Sequence, residues 1–153
     1  MTLQKNIIKS LSLIVFVLIV AISCDKRPTA PNLLVGTWEN PTCAGEIYTY
    51  DGITFTSAYD GKNSYVVNVE RIIYSSDTAG IIYGKYTENS YIPSLVGKYY
   101  AVSFKDLTDS GISISGAYKK SGKTGTDTLI EAISEFTEDN GYFGIYSACE
   151  RKQ

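Results

Sequence analysis

The sequence contains no histidine. That removes the commonest general base at neutral pH and the commonest metal ligand, so hydrolase and metalloenzyme chemistries lose their usual instruments. Tryptophan and methionine occur once each, proline only four times, and the net charge is a slight −2. No stripe of lysine and arginine gathers on one segment, which excludes the electrostatic footprint of a nucleic-acid binder. Zinc spacings and calcium-binding loops are also missing, and no metal or cofactor is expected. What the chain has in quantity is tyrosine and glycine, 13 of each in 153 residues, the palette of a small β-protein with room for one hydrophobic core.

The N-terminus has a different character. Lys5 and Lys9 precede the apolar run Leu11–Ile22, and Ser23-Cys24-Asp25-Lys26 follows it. A basic stretch, an apolar core and a small residue at the cut make an export signal. The run of 12 residues falls short of the roughly 20 that a spanning helix needs. Val20-Ala21-Ile22-Ser23-Cys24 resembles the lipobox of bacterial lipoproteins, in which the thiol receives a diacylglyceryl group before cleavage in front of it. The resemblance implies a signal peptide over residues 1–23, lipid attachment at Cys24 and a place in the bacterial cell envelope, on a membrane's periplasmic face or at the cell surface. Residues 24–32 carry two prolines and no apolar periodicity and read as a tether. The domain is then expected over 33–153.

From Leu34 onward, short β-prone runs alternate with turn residues at the 8–12-residue spacing of a sandwich or barrel. Strands are predicted near 34–40, 46–50, 53–59, 64–74, 80–88, 98–105, 111–118 and 142–149. Asp51-Gly52 is a type I′ hairpin signal, and Asp60-Gly61 and Asp109-Ser110-Gly111 punctuate other connections. One helix interrupts the pattern: Thr128-Leu-Ile-Glu131 is a capping box, and Leu129, Ala132, Ile133 and Phe136 form one apolar stripe, ending near Glu138. The expected fold is all-β, an antiparallel up-and-down barrel of about eight strands with one short helix before the last.

Gly36-Thr37-Trp38 at the first strand resembles the Gly-x-Trp motif of the lipocalin-like (calycin) barrels. There the Trp closes one end of the barrel beneath an Arg from just after the last strand, held by a cation–π contact. The resemblance assigns that closure to Gly36, Trp38 and Arg151. With Cys24 committed to lipid, Cys43 and Cys149 remain as candidates for a disulfide in an oxidising compartment, or as two free thiols. Aligning Trp38 with Arg151 sets Cys43 about three residues from Cys149, so a bond requires the loop after the first strand to curl back.

No group of residues forms a catalytic constellation, and an enzyme is not expected. Ser121-Gly122-Lys123-Thr124 resembles the end of a phosphate-binding loop, but the first glycine is misplaced and the segment reads as a plain loop. Tyrosines are the remaining candidates, because an apolar ring with a polar tip suits a pocket for an amphipathic molecule. Tyr83, Tyr99 and Tyr118 are the named ligand-binding candidates, and alternation forbids Tyr83 and Tyr86 from sharing a face. Two functions follow. One is a membrane-anchored barrel holding a small hydrophobic or amphipathic ligand in its lumen. The other is a solid barrel, such as an adhesin, inhibitor or envelope-assembly factor, that meets a macromolecule or envelope protein through tyrosine-rich loops. Inward positions such as Phe55, Val102, Phe104 and Ile114 discriminate them: if they fill the lumen, the first reading fails.

Overall fold

The structure, a computed structural model, describes residues 30–153. The expected signal peptide, Cys24 and most of the expected tether lie outside the described residues. After a helical turn, α1 (Ala30–Leu34), come β1 (Gly36–Glu39), β2 (Glu46–Tyr50), β3 (Thr54–Tyr59), β4 (Lys62–Ser76), β5 (Ala79–Asn89), β6 (Tyr99–Lys105) and β7 (Gly111–Gly116). Helix α2 (Leu129–Glu135) and β8 (Ser147–Arg151) complete the chain. Each strand pairs antiparallel with the next and β8 returns to β1, closing an eight-stranded up-and-down barrel. Closure removes every sheet edge from solvent, the standard protection of a small all-β protein.

The inward face follows from register. Trp38 opposes Tyr48, Tyr48 opposes Ser57, and Tyr50 opposes Phe55; Phe55 opposes Val67, Ile82 opposes Val102, and Phe104 opposes Ile114. Phe55, Val102, Phe104 and Ile114 are each only 1–2% exposed. Glycines on the same face interlock with these rings. A methyl group on Gly80 would stand 3.0 Å from the Phe104 ring, one on Gly116 would stand 2.6 Å from the Tyr100 hydroxyl, and one on Gly84 would run into the Asn68 carbonyl and Val67. Large inward side chains sit beside glycines of neighbouring strands that leave them room, and the near-complete burial of those side chains fills the barrel.

Antiparallel order sorts the connections into two ends. At one end lie α1, the Asp51–Ile53 turn, the β4–β5 and β6–β7 turns, and the C-terminus. At the other lie the Asn40–Gly45 loop, the Asp60-Gly61 turn, residues 90–98 and the start of the 117–146 connection, which then runs back along the outer wall so that residues 137–139 stand beside Ser75 and Gly80. The described chain enters at the first end, through α1, and the second is called distal.

Three local expectations are corrected. Leu34 is helical rather than extended, and its carbonyl accepts from the Trp38 indole N–H at 3.4 Å. The type I′ turn is Asp60-Gly61, where both residues have positive φ and Tyr59 pairs directly with Lys62. At Asp51-Gly52 only the glycine is left-handed, and Asp51 instead turns the chain with its side chain, accepting from Ile53 N–H at 2.8 Å and Thr54 N–H at 2.6 Å. The Thr54 bond first, then that of Ile53, holds the Asp51 carboxyl below its ordinary value of 3.8. A depressed pKa contributes stability that is present above the unfolded carboxylate pKa and fades as pH falls through the folded one. NMR titration of the Asp51 carboxyl carbon should therefore give a midpoint below 3.8. A midpoint at or above that value would contradict the turn geometry. Finally, β8 starts at Ser147, not near Tyr142: residues 142–146 cover the outside of the barrel, with Tyr142 and its neighbour Phe143 both buried.

Helix α2 is where the capping box places it. Thr128 accepts from Glu131 N–H, and the Glu131 carboxylate accepts from Thr128 N–H. Ala132 and Phe136 are fully buried and Leu129 and Ile133 partly so, while Ile130 points to solvent. The helix ends at Glu135, three residues earlier than expected, and covers the outer face of β5 and β6.

Candidate functional site

Gly36, Trp38 and Arg151 come together at the end where α1 lies. Trp38 and Arg151 are direct partners in the β1–β8 ladder, and the guanidinium lies over the indole at 4.0 Å. The same side chain donates from Nε to the Asp109 carbonyl at 2.8 Å, from Nη1 to the Val35 carbonyl at 2.9 Å, and from Nη2 to the Leu33 carbonyl. One arginine thus staples α1, β1 and the β6–β7 turn over a buried ring. Gly36 is required by proximity, because any side chain there would occupy the guanidinium's place. This cluster closes the barrel and carries no chemistry.

Towards the distal end the lumen turns polar. Tyr86 stacks on Tyr100 at 4.7 Å, and Tyr65 meets both rings edge-on at 5.9 and 5.5 Å. Beside them Tyr48 donates to Glu46 Oε1 at 2.6 Å, Ser147 donates to the same oxygen at 3.1 Å, and Asn40 donates to Oε2. Burial, first, and the neighbouring phenols or Glu46, second, push Tyr48, Tyr65, Tyr86 and Tyr100 above the ordinary tyrosine value. All four stay neutral at physiological pH, which suits a packed polar plug and not a general base.

The three tyrosines expected to bind ligand do not share a site. Tyr83 faces outward and is buried under α2, its hydroxyl donating to the Phe136 carbonyl at 3.0 Å. Tyr99 bridges to Glu70 at 3.2 Å with the Lys85 ammonium 4.8 Å above its ring. Tyr118 lies beyond β7, 68% exposed. Alternation separated Tyr83 from Tyr86 but could not say which faced the lumen.

Cys43 and Cys149 are free thiols, so the disulfide is corrected. Glu39 pairs with Glu150, which places Cys149 one step further towards the distal end. Cys43 sits in a loop that bonds to itself instead of curling back: Cys43 N–H donates to the Asn40 carbonyl, and Glu46 N–H donates to the Cys43 carbonyl. Burial, with a smaller contribution from Glu46, pushes the Cys149 thiol up to about 12. A maleimide at pH 8 should therefore modify Cys43 quickly and Cys149 only on unfolding. Two protected cysteines with a mass two daltons light would restore the disulfide.

The Ser121–Thr124 loop is not a phosphate cradle. The Tyr142 hydroxyl takes the Lys123 backbone N–H at 2.8 Å and donates onward to Glu135 at 2.6 Å, which lowers the Glu135 pKa. Among the described residues there is no group of three or more Asp, Glu or Cys placed to hold a metal, and no helix long and apolar enough to cross a membrane.

Among the described residues, three clefts stand out on the outer surface. One of about 230 Å³ lies between Ile73, Ile81 and the segment after α2, and one of about 250 Å³ between Tyr118 and Ile145. The third, about 520 Å³, sits at the distal rim where the β3–β4 turn meets the chain leaving β5. Only the last falls within the 300–1,000 Å³ range of ligand sites. Its lining includes Tyr59 and Tyr91, which are 47% and 74% exposed. Sequence reasoning missed it because it joins residues far apart in the chain; the signal was Asp60-Gly61, which marks an exposed hairpin tip.

No family model, curated protein or solved structure matches this chain. The fold and the site therefore rest on their own geometry.

Proposed function

We propose that the protein is a membrane-anchored lipoprotein of the cell envelope whose solid barrel works from its outer surface, presenting its distal end to a macromolecule. It is a binding protein without catalysis. The observation that carries this reading is the burial of the inward side chains: Phe55, Val67, Ile82, Val102, Phe104 and Ile114 are each only 1–2% exposed, and the rings of Tyr65 and Tyr100, from strands that are not neighbours, meet at 5.5 Å. A small hydrophobic or amphipathic molecule in the lumen would have to displace Phe104, Tyr100 or Val67, each in a packed core that resists volume change. The packing therefore counts against the lumenal cargo that the sequence first suggested. Two-endedness supports the rest of the reading: a lipid on Cys24 would hold the end where α1 enters, leaving Tyr59, Tyr91, Ile92 and Val96 exposed at the other. Exposed aromatics gathered at one end mark an interaction surface more than chance decoration.

Photo-crosslinking in the producing cell tests the reading. A benzophenone amino acid replacing Tyr91 should yield a discrete high-mass adduct, and the same group replacing Asp77 at the tether end should not. Equal adducts at both positions, or none at either, would overturn it.

A further inference from the structure

The chemistry of the distal cleft specifies its occupant further, and this inference rests on the distal-binding reading above. No Leu, Ile, Val, Met or Phe lines the cleft. Its large apolar surfaces are the side chains of Tyr59 and Tyr91, and the other lining side chains are amide, hydroxyl and one charge of each sign, Asp60 and Lys62. A lipid or aliphatic ligand would find nothing to bury against. A strongly anionic or cationic ligand would meet a like charge along with each opposite one. An aromatic face with its negative π-cloud instead suits the C–H face of a pyranose ring, and hydroxyl and amide groups match the sugar's own hydroxyls as donors and acceptors.

Rigidity supports the same conclusion. The Asp60-Gly61 turn fixes Tyr59 against Lys62, and Asp60 N–H donates to the Gly45 carbonyl at 3.0 Å. Across the cleft, both the backbone N–H and the hydroxyl of Ser90 donate to the Ser64 carbonyl at 3.0 Å, and Asn89 Oδ1 accepts from Tyr91 N–H at 3.2 Å. The loop carrying Tyr91 is thereby tied to the strand that carries Asn63, so both tyrosines stand on braced backbone before any ligand arrives. We infer that this cleft binds a short neutral glycan by stacking on Tyr59 and Tyr91.

Saturation-transfer NMR tests it on the full, lipid-anchored chain in nanodiscs free of sugar detergents, with maltotriose, cellotriose and chitotriose as neutral probes and trigalacturonate as the anionic comparator. At least one neutral trisaccharide should show transfer with a dissociation constant of about 1 mM or tighter. Tyr59→Ala and Tyr91→Ala should each weaken it about tenfold, as truncating an aromatic anchor does. Tyr118→Ala, exposed but outside the cleft, should leave it unchanged. All three positions are solvent-facing, so the variants keep the fold. No transfer from any neutral probe at about 10 mM, binding of trigalacturonate alone, or binding that survives both tyrosine variants would overturn the glycan. A protein adduct at position 91 with no saccharide transfer would overturn it too, while leaving the distal-surface reading intact.

Discussion

Trp38→Ala is expected to lower the unfolding free energy by about 3–5 kcal/mol, the range for truncating a large buried aromatic. Trp38 is 1% exposed, opposes both Tyr48 and Arg151 in the sheet, and donates its indole N–H back to Leu34. Its loss opens a cavity at the end where α1 lies and removes the face on which the Arg151 guanidinium rests. The arginine would then have no reason to hold the carbonyls of Leu33, Val35 and Asp109 together, and the two-pair β1–β8 seam would loosen with it. Since small domains hold only about 5–15 kcal/mol, the variant should be near the edge of stability. Urea unfolding must be followed by far-UV circular dichroism, because Trp38 is the only tryptophan. Arg151→Lys should not preserve the closure, since an ammonium neither stacks flat nor reaches three carbonyls at once. A Trp38→Ala loss below about 1 kcal/mol would show that the closure is not a keystone of the fold.

Cys24→Ala is expected to move the protein from the membrane fraction to the aqueous one and to abolish incorporation of a fatty-acid analogue. Each acyl CH₂ in a bilayer is worth about 0.8 kcal/mol, so two or three chains make attachment effectively permanent and their absence complete. No helix among the described residues offers an alternative anchor. The released domain should keep the wild-type circular dichroism spectrum, because the core of the described residues runs from Leu34 to Cys149. Unchanged labelling or unchanged membrane association would sink the lipoprotein reading without touching the barrel.

Much of the fold was legible because its signals are local. Alternation in Glu46–Tyr50 and in 98–105 located β2 and β6 to within a residue, and the Thr128–Glu131 capping box located the start of α2. The errors came where a residue's state depends on distant partners. Tyr142 and Phe143 read as part of a strand, yet both are buried within an irregular segment tied to the rest of the fold by bonds such as Tyr118 N–H to the Tyr142 carbonyl and Tyr146 to Ser103. Tyr83 looked like a lumen residue because nothing local reveals that α2 hides the outer face of β5. The glycine interlock is likewise invisible in sequence: Gly80 and Gly84 face inward only once register with β6 is known. The distal cleft needs two strands aligned, Tyr65 against Asn89, before residues 59–64 and 90–91 can meet. Register, more than composition, separates what could be read from what could not.

The central claim is that this barrel is solid and acts from its surface. Native mass spectrometry of the full lipid-anchored protein, before and after organic-solvent extraction, tests it most directly. The packing predicts one mass, that of the acylated polypeptide, unchanged by extraction. A small molecule lost in stoichiometric amount on extraction would contradict it and return the lumen to the centre of the protein's function.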